Sequence, residues 1–258
     1  MGITLSLWGL IHVQQAWQAR CDLFGIGLGV FGIFGYHACL FSAYRLAPAG
    51  AVNLLNYLWP SLIAVLGPPI LKSPRLNLYQ GLGTGMALMG ALLIASRGEF
   101  AGGSSHSWGI WLGYGLAVSA ALCWAFYSVL LKKFPARLEG AIHAACLLSG
   151  LLALAVQFWM VGFHGVENEI AQFDRMTWGG LVYLGLGPLG VAFLLWEKAV
   201  QLNDSHRLAL LSYLTPVLSV TWMSAFGFVD WTLSFGLGAL AILGGSLVAH
   251  FGEARKLT

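Results

Sequence analysis

The sequence predicts an all-α integral membrane protein carrying an internal repeat, on three observations. Hydrophobic residues make up 58% and charged residues 9% of the chain, against roughly 25% charged in an ordinary soluble domain. The apolar residues fall in long unbroken runs, whereas a membrane β-barrel alternates over about 10 residues per strand. The third observation is a short pattern found in both halves, a tyrosine three residues before a proline inside an apolar run. It reads Asn56-Tyr57-Leu58-Trp59-Pro60-Ser61 and Ser212-Tyr213-Leu214-Thr215-Pro216-Val217. The lipid bilayer is therefore the expected surrounding. The net charge of +3 is small and no basic run is present, so no nucleic-acid partner is expected.

A membrane-spanning helix takes about 20 mostly apolar residues. In chain order the runs are a short segment near 3–17, then 22–45, 50–71, 77–96, 108–132, 140–162, 177–199, 206–228 and 231–251. Connectors are short. The two longer ones are Gly98–Ser107 and Gly165–Met176, the latter carrying Glu167, Glu169 and Asp174.

The halves, 1–101 and 102–258, repeat. One constant shift along the chain places Tyr57 on Tyr213 and Pro60 on Pro216; a shift one residue shorter places Gly83 on Gly238 and Gly90 on Gly245. Duplication of this kind builds many transporter folds. The second half counts five segments and the first half four, its first being short. A leading helix is thus expected ahead of the sequence, for ten in all. With a cytoplasmic C-terminus, the cytoplasmic ends hold Arg20, Lys72, Arg75, Lys132, Lys133, Arg137, Lys198, Arg207, Arg255 and Lys256. The opposite side holds Arg45, Arg97 and Arg175, the expected positive-inside bias. Ten helices put both termini inside and give the two halves opposite orientations.

Proline removes one backbone N–H and one helical hydrogen bond. In hydrocarbon the carbonyl left behind needs a partner in the protein or in a wet cavity, and paired broken segments point to a transport site near the bilayer midplane. Around the prolines stand aromatic rings, whose faces suit apolar or ring-bearing side chains and ammonium groups. Ordinary helix packing competes with that role for each ring taken singly; the clustering at the prolines favours a site.

The Asn56–Leu62 and Ser212–Ser219 stretches, Trp124-Ala125-x-Tyr127, Trp196 and Tyr36 together resemble the drug/metabolite transporter superfamily, in its EamA-like branch of ten-helix exporters, nearest its aromatic amino acid exporters. The similarity covers nearly the whole chain, and the absent start is the departure. The resemblance implies a 5+5 inverted-repeat bundle in the cell inner membrane. It implies a monomer that exports amino acids, aromatic and other apolar ones, by alternating access through a central cavity. Tyr36, His37, Asn56, Tyr57, Trp59, Trp124, Tyr213 and Thr215 are then expected to bind substrate, with Ser212 offering a further hydroxyl. Pro60 and Pro216 serve as hinges.

The competing functions need other residues. Efflux of cationic metabolites or drugs wants a buried carboxylate, and the spans offer none, since Glu197 beside Lys198 reads as a snorkelling pair near a helix end. An enzyme needs a convergent nucleophile–base pair or metal cluster; the acids and histidines are scattered, so no enzyme, metal or cofactor is expected. His37 and His143 read as neutral, hydrogen-bonded groups, although intramembrane histidines can mark proton paths. Cys21, Cys39, Cys123 and Cys146 lack zinc spacing and read as small buried hydrophobes rather than disulfide partners. Gly25/Gly29, Gly81/Gly85 and Gly109/Gly113 each leave a bare helix face for close packing.

Overall fold

The computed structural model describes residues 22–74, 76–96, 108–135, 141–202, 205–227 and 232–254. The expected segment near 3–17, the connector Gly98–Ser107 and Cys21 lie outside them. Every regular element among the described residues is helical. Four helical stretches, Leu23–Leu46, Trp108–Lys133, Ala141–Ala171 and Arg175–Leu202, are long and apolar enough to cross a membrane. Large apolar side chains such as Trp108, Trp159, Leu195 and Leu240 are exposed along them and along later helices. An apolar exterior of this extent suits lipid rather than water.

The chain divides into two compact units, each discontinuous and each drawing on both halves of the sequence: Met1–Ala38 with Phe134–Leu202, and Cys39–Lys133 with Asn203–Thr258. The first unit contains α1 (Leu23–Val30), a π-helical turn Phe31–Gly35 and the start of α2 (Tyr36–Leu46). It also contains α7 (Ala141–Ala171), α8 (Arg175–Leu186), a second π-helical turn Gly187–Val191 and α9 (Ala192–Leu202). The π-helical turns occupy equivalent positions under the shift that relates Tyr57 to Tyr213. The expected glycine contact is present here: a Cβ on Gly29 would stand 2.5 Å from the Ala145 Cβ, so α1 and α7 touch where the side chain is missing.

The expected connector Gly165–Met176 is corrected by the structure. Helix α7 is interrupted at Gly162 (φ 71, ψ 173) and resumes to Ala171. Glycine tolerates that backbone, which a Cβ would strain. Phe158 stacks on Phe163 at 5.2 Å across the break. Gln157 Nε2 donates to Glu169 Oε2 at 2.8 Å, and His164 lies 3.6 Å from Glu167. Asp174 then caps α8, accepting from the Thr177 N–H at 2.7 Å and the Thr177 hydroxyl at 2.6 Å. Those bonds, the hydroxyl's first, hold its carboxyl below the ordinary value.

The second unit contains the rest of α2, then α3 (Ala49–Asn56), α4 (Trp59–Leu71), α5 (Leu78–Ser96), α6 (Trp108–Lys133), α10 (Ser205–Ser212), α11 (Leu214–Ala225) and α12 (Leu233–Ala254). Its core gathers Ala87, Leu210, Tyr213, Phe235 and Ile242, with Leu88, Leu214 and Val217 packed against them. Helices α5 and α12 pack through glycine, but not through the expected Gly81/Gly85 face. A Cβ at either of those positions meets nothing within 4 Å. Instead a Cβ on Gly90 would fall 2.5 Å from the Gly238 carbonyl oxygen, and one on Gly245 would fall 2.5 Å from that of Gly83. Glycine spacing leaves a bare face; which face meets a neighbour is decided by the rest of the bundle. The starts of these two helices match as well. Asn77 and Gln80 form a reciprocal capping box, with N···O distances of 3.0 and 2.8 Å. At the equivalent position Thr232 Oγ1 accepts from the Phe235 N–H at 3.2 Å.

Candidate substrate site

Both Tyr-x-x-Pro segments interrupt a helix at the tyrosine. In the first, α3 ends at Asn56 and α4 begins at Trp59, with Tyr57 and Leu58 as the turn between. Pro60 has no N–H for the Asn56 carbonyl, and the Leu58 N–H instead reaches Leu55 O at 3.2 Å, tightening the turn. In the second, α10 ends at Ser212, Tyr213 is the turn and the Tyr213 N–H reaches Leu210 O at 3.1 Å. Tyr57, Leu58 and Tyr213 keep right-handed helical backbone angles, so each break is a joint rather than a loop.

The two joints meet inside the second unit. Tyr213 is fully buried, and its hydroxyl is hydrogen-bonded to the Ser61 hydroxyl, one residue past Pro60. Pro60 itself is fully buried. Trp59 stands edge-on to Trp124 of α6, with ring centroids 6.5 Å apart, and Trp124 lies 5.5 Å from Tyr127. The Trp124 carbonyl accepts from the Ser128 hydroxyl at 2.8 Å. Asn56, Tyr57 and Trp59 are half-buried and Thr215 is exposed. The described residues include the backbone of Pro216, third in α11, and not its side chain. Ser212 gives its hydroxyl hydrogen to its own helix, at Leu208 O, 2.7 Å away.

Tyr36 and His37 lie in the first unit. His37 is buried, and its Nδ1 donates to the Ile33 carbonyl at 2.7 Å across the π-helical turn. It meets Tyr36 and Phe193 edge-on, at 4.8 and 6.0 Å. Phe193 is the equivalent of His37 under the repeat shift, so equivalent positions touch one another here. The hydrogen-bonded histidine expected from the sequence matches this geometry.

Ser61 carries half of the contact between the joints, yet the repeat pattern gave no signal for it, because its equivalent is Val217. Glu197 differs from expectation. Lys198 is exposed, but Glu197 is only 8% exposed and accepts from Gln201 Nε2 at 3.4 Å. It is not a snorkelling group, and the spans do hold a buried carboxylate. Adjacent residues point about 100° apart around a helix, so sequence neighbours need not share an environment.

The EamA-like transporter family matches the sequence over residues 1–96 and 111–251. The chain belongs to the EamA-like transporter family. Similar proteins include the aromatic amino acid exporter YddG of Ancylobacter novellus, 32% identical over 242 residues, covering 93% of this chain and 78% of that protein. The YddG of Escherichia coli is 28% identical over 210 residues, covering 79% of this chain and 68% of that protein. A crystal structure 29% identical in sequence superposes with a TM-score of 0.83, covering 99% of this chain and 87% of the other. As an EamA-like protein with several apolar membrane-length helices, the chain is a multi-pass membrane transporter.

Proposed function

We propose that this EamA-like protein exports amino acids, aromatic and other apolar ones, from the cytoplasm across the cell inner membrane by alternating access. The observation that carries this is the meeting of two proline-interrupted helices at Tyr213 and Ser61, beside the aromatic pair Trp59–Trp124. Joints in membrane helices combine polar groups with bending points, and the adjacent rings offer faces to an apolar side chain or an ammonium. The substrate surface is assigned to Asn56, Tyr57, Trp59, Trp124, Tyr213 and Thr215, with Pro60 and Pro216 as hinges. Tyr36 and His37, in the first unit, are also proposed as substrate-binding residues. The names of the exporters similar to this chain support the substrate class.

The architecture proposed is a ten-helix bundle of two inverted halves, 1–101 and 102–258, with both termini cytoplasmic, working as a monomer. Its support is the run of equivalent features: paired π-helical turns, paired joints, paired N-caps, and the exchange of contacts between Gly90–Gly238 and Gly245–Gly83. Exchanged contacts of this form are what a two-fold axis produces.

Counterflow of labelled amino acids through purified protein in liposomes, with and without a pH gradient, tests the function. Exchange of labelled phenylalanine or tryptophan is expected; absence of counterflow for every amino acid would end the proposal. One observation favours a second reading, efflux of cationic metabolites: the buried carboxylate of Glu197. Counterflow of organic cations, lost in Glu197→Gln while amino acids fail to exchange, would select it.

A further inference from the structure

We propose that Cys39 and Cys123 are a redox latch, closing to a disulfide that ties α2 to α6. The two residues are far apart in sequence, yet their thiols are hydrogen-bonded to each other. Both are unbridged and, against the burial expected from the sequence, partly accessible. Cys146, by contrast, is buried within the other unit.

A second contact between the same helices supports closure. A Cβ on Gly113 of α6 would stand 2.7 Å from the Ala47 Cβ and 3.1 Å from the Leu46 Cβ at the end of α2. Counting back along α2 from Leu46 to Cys39 covers about 11 Å, and forward along α6 from Gly113 to Cys123 about 15 Å, at 1.5 Å per residue. The thiol pair therefore lies about two turns before the Gly113 contact on α2 and nearly three turns after it on α6. Between the two contacts the helices carry Ala43, Ala117 and Ala120, all fully buried. Helices commonly pack about 8–10 Å apart, whereas a disulfide needs Cα atoms about 4.4–6.8 Å apart. Closure therefore draws α2 towards α6, and the small residues between the two positions leave room for that movement.

The chemistry needs a two-electron oxidant, for which an azodicarboxamide serves as the probe. One thiol gives up its proton and its sulfur adds to the azo nitrogen. The second thiolate then attacks that sulfur and displaces the hydrazine. The S–S bond forms, both thiol hydrogens end on the hydrazine, and the two cysteines are oxidised as the azo compound is reduced. A thiol reductant reverses the step by exchange.

Cys123 immediately precedes Trp124, so closure fixes α6 beside the aromatic pair. The consequence for transport rests on the proposed export function; the bond itself does not. The test treats purified full-length protein in liposomes with diamide, maps disulfides by peptide mass spectrometry, and follows amide exchange over 108–133 alongside counterflow. The expected result is a Cys39–Cys123 disulfide, slowed exchange in α6, loss of counterflow, and recovery of both on reduction. Cys39→Ser and Cys123→Ser each abolish the response, with Cys39→Ala as the alternative if the serine variant does not fold, whereas Cys146→Ser keeps it. No disulfide, a disulfide made through another cysteine, or a mapped bond that leaves exchange and counterflow unchanged would overturn the latch. Untreated protein with no amino acid counterflow would sink the export function alone, because the mapped bond and the slowed exchange still decide the latch.

Discussion

Adding one methyl group at Gly90 should damage the protein as much as adding one at Gly245, and adding both should cost less than twice as much. At Gly90 the new Cβ lands 2.5 Å from the Gly238 carbonyl oxygen and 2.9 Å from both Ile242 N and Ile242 Cγ1. The side-chain atom can rotate away, but the backbone atoms cannot. Reaching an ordinary contact of 3.4 Å requires α5 and α12 to part by about 0.9 Å, an overpacking strain of about 1–3 kcal/mol. At Gly245 the Cβ meets Gly83 O at 2.5 Å and Ala87 N at 2.8 Å, so the strain is of the same size. A loss near 2 kcal/mol corresponds to a fall of about 4–8 °C in Tm for a chain of this length. One outward movement of α5 against α12 relieves both clashes, so Gly90→Ala/Gly245→Ala should fall short of additivity by at least about 0.5 kcal/mol. Gly85→Ala, whose Cβ meets nothing within 4 Å, is the control, and in mid-helix it should be neutral or stabilising. Thermal unfolding in detergent, followed by tryptophan fluorescence, measures all four variants. Strict additivity, or single variants as stable as Gly85→Ala, would refute the reciprocal contact.

Three more outcomes follow from the joints and the caps. Trp59→Ala should leave the protein folded and inserted while slowing counterflow about 2- to 10-fold, the worth of one aromatic contact of about 0.5–1.5 kcal/mol; unchanged counterflow would remove Trp59 from the substrate surface. Tyr213→Phe and Ser61→Ala should each lower stability by about 1 kcal/mol, and the double variant should cost little more than either, since both remove one bond; independent losses in a thermal cycle would speak against it. The Asp174 cap is held by a carboxyl whose folded value lies below the ordinary 3.8. Its contribution is complete above the unfolded value and is lost as pH falls through the lowered one. Amide exchange at Thr177 and Trp178 should therefore gain protection from the cap at neutral pH and lose it in acid. Asp174→Asn should abolish that pH dependence, and an identical profile in the variant would contradict the assignment.

Much of the helical layout is legible in the residues, because a run of about 20 apolar residues has few other uses. The joints are legible because proline cannot complete the ladder at Asn56 or Ser212. The π-helical turns are not. Phe31–Gly35 and Gly187–Val191 share glycine and little else, and the extra residue is accommodated by packing rather than by composition. Helix continuation past Gly162 is not legible either, because Glu167 and Glu169 look like loop residues, whereas in the fold they lie on a short helix with His164 and Gln157 as partners. Burial of Glu197 was hidden by its neighbour Lys198, which sits on a different face. Around the candidate site, Trp59 stands out through the proline pattern and Trp124 only through the family resemblance, while their contact and the hydroxyl pair Ser61–Tyr213 depend on tertiary packing between different helices.

The glycine seam between α5 and α12 is self-complementary: each side presents to the other what it receives. Two unlinked copies of such a surface would pair only as fast and as far as their concentration allowed. Fusion into one polypeptide replaces that dependence with a local concentration set by the intervening chain. Severing the chain between its halves should thus turn a folding step into an assembly step, and make the fraction of intact transporter depend on how densely the membrane is filled.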